Sequence, residues 1–248
     1  MQFKLKMEDA KFFKDLINAV ASLLDEATFR VTQEGLFLRG MDPSHVAMVD
    51  LVLPRDLFEE FYCDGEVFFC VPVGSLIRLL KRVKAKETLE LSLEESKLFI
   101  SIIGRYNRTF SIMTLEPEKE EIPVPKIQFT AKVKLETEIL KSIVEDAALV
   151  GTHLTIHAEG DKLSFVGKNE LHQSTAELTK DNFLEFEVET ESTATFSLTY
   201  LSEIVRMASA TSEIVEVAFS TDMPLKLVFR PPKGGTITFF LAPRIEVA

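Results

Sequence analysis

Two periods take turns along this chain. Residues 28–38, Thr-Phe-Arg-Val-Thr-Gln-Glu-Gly-Leu-Phe-Leu, alternate apolar and polar side chains on both sides of a Glu-Gly pause. That pattern predicts a strand, a tight turn and a strand. Residues 153–163, His-Leu-Thr-Ile-His-Ala-Glu-Gly-Asp-Lys-Leu, do the same. Period-two segments also cover 1–7, 27–33, 35–41, 46–53, 66–71, 87–93, 97–103 and 108–115. Between them the spacing changes to three and four. Phe13, Leu16, Ile17, Val20, Leu23 and Leu24 mark one helical face, and Ile139, Leu140, Ile143, Val144, Ala147 and Ala148 another.

These segments form two copies of one unit. A spacing of 125 residues carries Gly35 to Gly160. The same spacing lays Val71–Val83, VPVGSLIRLLKRV, on Phe196–Ala208, FSLTYLSEIVRMA, with Leu76 on Leu201, Leu79 on Ile204, Leu80 on Val205 and Lys81 on Arg206. Each of these stretches runs from a short strand straight into an amphipathic helix, the first placed at about 75–84 with Leu76, Leu79, Leu80 and Val83 inward. Residues 116–126, Glu-Pro-Glu-Lys-Glu-Glu-Ile-Pro-Val-Pro-Lys, can continue neither a helix nor a central strand and read as an extended connector. Its Ile122 and Val124 alternate with prolines, a pattern suited to docking on a surface. The chain therefore divides into an N-terminal domain at 1–116, a connector at 117–128 and a C-terminal domain at 129–248. Two helices covering one face of antiparallel sheet in each domain make the fold class α+β, with two pseudo-symmetric domains.

Composition adds constraints. The formal net charge is −11, which argues against tight nucleic-acid binding by the chain as a whole and requires either a local basic patch or a topological hold. The two cysteines, Cys63 and Cys70, are too few for a disulfide framework and point to a reducing compartment, a single disulfide being the alternative. No apolar run reaches bilayer length, and the first six residues lack the apolar stretch of a signal peptide. There is no phosphate-cradling glycine loop, no nucleophile elbow and no Cys-x-x-Cys pair. His153 and His157 are four apart, a helical metal spacing, but they fall in a strand pattern. These features predict no catalytic residue, no metal and no cofactor. A nuclease-like enzyme, the rival from another class, would need a carboxylate cluster that the sequence does not show.

Met41-Asp42-Pro43-Ser44-His45-Val46, then Asp222-Met223-Pro224-Leu225, then Phe239-Phe240-Leu241-Ala242-Pro243-Arg244-Ile245-Glu246 follow one another in the order and spacing of a known family. With the duplication and the acidic, proline-bearing connector, they resemble proliferating cell nuclear antigen, the DNA sliding clamp, in its archaeal form, over essentially the whole chain. The resemblance implies a trimeric ring around double-stranded DNA, with sheets outside and helices inside. It implies a processivity factor rather than an enzyme, placed on DNA by a clamp loader. DNA polymerase, flap endonuclease and DNA ligase would be tethered through short peptides bearing a glutamine and two aromatics.

By position, the resemblance puts Lys11, Lys14, Arg78, Lys81, Arg82, Lys84 and Arg206 toward the DNA, with Arg82 and Lys84 alternatively pairing across a subunit boundary. It puts Met41, His45, Val46, Met48, Ile122, Val124, Pro224, Phe240, Leu241, Ala242 and Pro243 in the partner-peptide groove. Ring closure would pair residues 108–115 of one subunit with 172–179 of the next. The helix at 136–149 departs from the family pattern, since it offers Lys141 alone against Glu136, Glu138, Glu145 and Asp146. The alternative within the family is an adaptor subunit of a heterotrimeric or non-replicative clamp. Expected localisation is cytoplasmic and nucleoid-associated for an archaeal source, nuclear for a eukaryotic one, with no membrane partner.

Overall fold

The computed structural model describes residues 2–118 and 122–245. The chain divides into two compact units, one of Met1–Pro43, Val49–Ile122 and Pro231–Ile237, the other of Ser44–Met48, Pro123–Arg230 and Thr238–Ala248. The first half of the chain runs β1 (Phe3–Met7), α1 (Ala10–Val20), β2 (Glu26–Thr32), β3 (Gly35–Met41), β4 (Ala47–Pro54), β5 (Glu60–Cys63), β6 (Val67–Pro72), α2 (Val73–Leu80), β7 (Thr88–Glu94), β8 (Lys97–Ile103) and β9 (Arg108–Met113). The second half repeats that order as β10 (Ala131–Glu136), α3 (Thr137–Ala148), β11 (His153–Glu159), β12 (Lys162–Lys168), β13 (Gln173–Thr179), β14 (Glu185–Val188), β15 (Ser192–Ser197), α4 (Leu198–Ala208), β16 (Ile214–Phe219), β17 (Leu225–Phe229) and β18 (Thr236–Leu241). Strand order repeats as well. The runs β5-β1-β7-β8-β9 and β6-β2-β3-β4 correspond to β14-β10-β16-β17-β18 and β15-β11-β12-β13.

Alternation decides which face of each strand is buried. Phe3, Leu5 and Met7 on β1, Leu89, Leu91 and Leu93 on β7, and Leu98, Ile100 and Ile102 on β8 are at most 3% exposed. Phe13, Leu16, Ile17 and Val20 of α1 and Val73, Leu76 and Leu80 of α2 are buried with them, and the two helices pack on each other. Leu140, Val144 and Ala147 of α3 and Leu201, Ile204 and Val205 of α4 repeat the arrangement. Burying each large aliphatic or aromatic side chain contributes roughly 1.5–3 kcal/mol.

The helices are pinned to the sheets at their first residues. The Ala10 N–H donates to the Glu87 carbonyl at 2.8 Å, and Val73 N–H to Asp25 at 2.8 Å. In the second half Thr137 N–H donates to Glu213 at 2.8 Å, and Leu198 N–H to Thr152 at 2.9 Å. An N-terminal helical donor has no partner within its own helix, so each bond satisfies a group that would otherwise stay open. Asp9 additionally caps α1 by accepting from the Phe12 N–H at 3.0 Å.

Four details correct the sequence reading. The first helix ends at Val20, and Leu23 and Leu24 reach the core through a tighter turn in which both N–H groups return to the Val20 carbonyl. Helix α2 ends at Leu80, so Lys81 to Lys86 lie in the loop after it. The short strand β5 carries no alternation long enough to read. Finally, Gly35 and Gly160 are not equivalent. Thr32 pairs with Gly35, and Glu159 pairs with Lys162, so Gly35 corresponds to Lys162 and Gly160 to Gln33 of the turn. The repeat therefore spans two residues more in the first hairpin than in the second helix.

The two glycines need their lack of a side chain for different reasons. A Cβ on Gly35 would stand 2.2 Å from the Leu53 carbonyl oxygen, whereas Gly160 has open space but φ +59°. Gly35→Ala should cost about 1–3 kcal/mol through overpacking, and Gly160→Ala about 1–2 kcal/mol through its left-handed backbone. Urea unfolding checks this: both midpoints fall, Gly35→Ala by more, with the slope unchanged.

Candidate functional site

The exposed side of the first unit's helical layer is cationic. Lys11 and Lys14 project from α1, Arg78 from α2, and Lys81, Arg82, Lys84 and Lys86 from the loop that follows. Lys11 is engaged by Asp15 at 2.6 Å, and Arg78 donates to the Ser75 hydroxyl at 3.4 Å. Among the described residues, Lys14, Lys81, Arg82, Lys84 and Lys86 are in no ion pair, and their charge faces solvent.

Glu87 shapes this basic loop. Its carboxylate accepts from the Lys84 N–H at 2.7 Å and from the Arg108 guanidinium at 2.6 Å. Both ends of the Arg108–Glu87 pair are largely buried, with side chains 15% and 13% exposed. Burial pushes the Glu87 carboxyl up, but the Lys84 N–H and Arg108 outweigh it and hold it below the usual glutamate value. The turn that carries the lysines is thereby tied to the first residue of β9. Val83 is buried beneath the loop, and Lys86 has a positive φ of 67°.

The second unit's helical layer has the opposite charge. Glu138, Glu145 and Asp146 of α3 are exposed, and Lys141 is taken by Glu138 at 3.3 Å. Arg206 of α4 is paired with Glu203 at 2.5 Å. The loop after α4, Ser209 to Glu213, carries no cation. Cationic character is thus concentrated on α1, α2 and the 81–86 loop, and Arg206 is the one candidate cation on this second layer.

The groove candidates separate by burial. In the second unit Met48, Phe240 and Leu241 are 3%, 5% and 1% exposed and lie in the core rather than at the surface. Val46, Pro224, Ala242 and Pro243 are half-buried, and His45 and Val124 are exposed. The Ala242 N–H donates to the Val46 carbonyl at 2.8 Å, fixing the C-terminal tail beside the 44–48 segment. The Lys226 ammonium lies 5.9 Å from the Phe240 ring centre, and Arg244 N–H donates to Thr195 at 2.7 Å. His45 sits at φ 57°, a left-handed conformation that turns the chain sharply before Val46. In the first unit, Met41 and Ile122 are half-buried.

Edges are the third feature. Strand β9 has a neighbour only at β8, and β13 only at β12. The edges at β5 and β14 are four residues long. Those at β6 and β15 are met by backbone bonds, Leu115 N–H to Cys70 at 2.8 Å and Arg244 N–H to Thr195. So β9 and β13 are the long edges left open among the described residues. Their inward rows, Phe110 and Ile112 on β9 and Ala176 and Leu178 on β13, are only half-covered.

Among the described residues no group of three or more His, Cys, Asp or Glu side chains could hold a metal ion. His153 and His157 lie on β11; His157 shares a hydrogen bond with the Thr193 hydroxyl at 2.7 Å, and Arg244 approaches His153 at 3.0 Å. Cys63 and Cys70 are free and buried, and burial pushes both thiols up in pKa. Among the described residues no helix is long and apolar enough to cross a membrane. Sequence reasoning missed Glu87 and Arg39. Arg39 stands in the polar row of β3 and Glu87 in the loop before β7, and neither position identified its partner across the sheet or turn.

A duplicated α+β unit with paired helices over antiparallel sheet is the architecture of a clamp subunit. Family models for the proliferating cell nuclear antigen N-terminal and C-terminal domains match residues 2–117 and 123–244. The chain belongs to the proliferating cell nuclear antigen family, whose sliding clamps are non-catalytic processivity factors. The DNA polymerase sliding clamp of Pyrococcus abyssi is 36% identical over 249 residues, covering 99% of this chain and all of that one. The crystal structure of PCNA from Thermococcus kodakaraensis superposes with a TM-score of 0.92 at 28% identity over 98% of this chain and all of that one. A PCNA2–PCNA3 complex from Sulfolobus tokodaii gives 0.90 at 31% identity, with the same coverage.

Glu87→Gln should lower stability at neutral pH by about 1.5 kcal/mol, the scale of a hydrogen bond to a charged group. The folded-state pKa is depressed, so the contribution is present above the unfolded glutamate pKa near 4.5 and is lost as pH falls through the lower folded value. Parent and variant unfolding curves measured from pH 7 downward should therefore converge on the acid side.

Proposed function

We propose that this chain closes with two further subunits into a ring around duplex DNA and tethers DNA polymerase and other replication and repair enzymes to it. The pair of long open edges carries the reading. An uncovered strand edge is a template for another chain, and native proteins that keep one exposed usually blunt it. Edges β9 and β13 are different surfaces, so joining them is head-to-tail, and a head-to-tail contact closes into a ring when its rotation allows. Three subunits is the number that the family resemblance implies. In such a ring Glu138, Glu145 and Asp146 offer a complement to Arg82 and Lys84 of a neighbour.

In this reading Lys14, Arg78, Lys81 and the loop cations supply local positive potential beside the phosphates, without base contacts that would stop sliding. Lys11 and Arg206 contribute less, because each has a carboxylate partner. Net charge −11 is compatible, since topology rather than affinity retains the ring. Partner peptides dock on His45, Val46, Val124, Pro224, Ala242 and Pro243 above Met48, Phe240 and Leu241. Clamp loader, flap endonuclease and DNA ligase are the further partners of this reading.

A second reading makes the chain one subunit of a mixed ring. The likeness to a subunit of the Sulfolobus tokodaii PCNA2–PCNA3 complex favours it.

Light scattering across a dilution series separates the two. A mass of three chains supports the self-sufficient ring, and a monomer at every concentration overturns it in favour of the mixed one. Where the trimer forms, Ala176→Asp places a charge in the half-covered row of β13 and should raise the dissociation midpoint by about tenfold or more, roughly 1.4 kcal/mol, with far-ultraviolet circular dichroism unchanged.

DNA binding is checked by titrating the assembled protein with short duplex at several salt concentrations. Arg78→Glu with Lys81→Glu should weaken binding and flatten the salt slope by about 0.9 for each phosphate no longer neutralised. Lys141→Ala should leave the slope unchanged. Equal slopes in parent and double variant would refute the assignment of Arg78 and Lys81.

A further inference from the structure

Pro117, Pro123 and Pro125 have no N–H, so the connector cannot form a continuous ladder with a sheet and has to be held by separate bonds. One of its carbonyls is held in this way. Arg39 Nη1 donates to the Ile122 carbonyl at 2.9 Å, while Nε of the same guanidinium donates to the Asp50 carboxylate at 2.8 Å. Arg39 is on β3 and Asp50 on its neighbour β4. Asp50 fixes the plane of the guanidinium, and a planar fork fixed on one side presents its remaining donors in a set direction. Beside this bond lies a cleft of about 170 Å³ lined in part by Phe37, Val52 and Phe68, with Glu118 and Ile122 of the connector at its border. At the other end of the connector, Ser220 Oγ donates to the Gln128 carbonyl at 3.2 Å and accepts from the Thr130 N–H at 3.0 Å. Between these two ties, residues 123–127 include two prolines and an exposed Val124.

We infer that Arg39, oriented by Asp50, is a clasp that holds the connector against strands β3 and β4 and so sets the affinity of partner peptides it never touches. This rests on the reading that the connector borders the peptide groove. A strap already fixed in place loses less freedom when a peptide packs against it, so more of the contact energy appears as affinity. Arg39 is a positioning residue in this scheme, and its loss acts through the strap.

The test uses the full chain in its native assembly. Arg39→Met keeps an apolar stem and removes every donor, and Arg39→Lys keeps the charge but not the fork. Two quantities are read for each: the rate of trypsin cleavage after the exposed Lys126, and the affinity for a fluorescein-labelled synthetic peptide carrying a glutamine and two aromatics. Arg39→Met should be cut at least about tenfold faster and bind the peptide about tenfold more weakly, mainly through faster release. Arg39→Lys should fall between it and the parent. Assembly mass and melting temperature should stay at the parent values; if Arg39→Met melts early, Arg39→Lys, with its charge retained, decides. Unchanged cleavage overturns the clasp, as does faster cleavage with peptide affinity equal to or tighter than the parent's. If the parent binds no such peptide, the partner reading fails, and the cleavage rates still decide whether Arg39 holds the connector.

Discussion

Four backbone hydrogen bonds hold the rest of this structure in place: the first N–H of each helix, captured by a carbonyl at the start of a neighbouring strand or loop. Ala10 with Glu87 and Val73 with Asp25 have their counterparts in Thr137 with Glu213 and Leu198 with Thr152. A helix end is where donors go unsatisfied, and here those donors become the fastening between layers. Apolar burial alone would leave a helix free to slide over a greasy sheet, because the hydrophobic effect has no direction. The captured N–H groups remove that freedom and fix which helical residues face inward. The cationic and acidic faces of the two helical layers are therefore placed by backbone chemistry before any side chain on them has acted.

Charge is segregated with the same regularity. On the polar rows of the strands, Lys4 and Lys6 of β1 are matched by Glu59, Glu60 and Glu90. Lys132 and Lys134 of β10 are matched by Glu185, Glu187, Glu189 and Glu216. Such exposed pairs contribute little each, but they neutralise the lysines of both sheets in parallel. The helical layers do not share this balance. Cations concentrate on one and carboxylates on the other, so the duplication that copied the architecture did not copy the charge.

Much of the architecture is legible in the sequence, because it depends on which side of a strand or helix each residue occupies. Phe3, Leu5 and Met7, or Leu154, Ile156 and Ala158, announce their burial by spacing alone. Partnership across space is not written that way. Glu87 looks like any exposed glutamate until Arg108 and the Lys84 N–H converge on it, and Arg39 like any strand arginine until the connector crosses its sheet. The four residues of β5 are too few to show a period. Spacing places the end of α2 too late because Val83 remains buried after the helix has stopped, so the apolar rhythm continues where the hydrogen bonds do not. Among the groove candidates, the residue types suggest a surface, but burial puts Met48, Phe240 and Leu241 in the core.

The hairpins β2–β3 and β11–β12 have the same length and turn, and the two-residue difference falls between each hairpin and the helix α2 or α4 that follows, which has a consequence for how such a chain can change. Strand side chains point to alternate faces, so a shift of one position would turn Phe29, Val31 and Leu38 outward and bring Arg30 and Phe37 into the core. A shift of two leaves every residue on its own side. A single-residue change within either hairpin would cost it its buried face, and the two halves place their difference in the connections instead, as a zipper tolerates slack in its tape but not a missing tooth. The repeat could lose its strict numerical period over time while keeping intact the surface on which its helices rest.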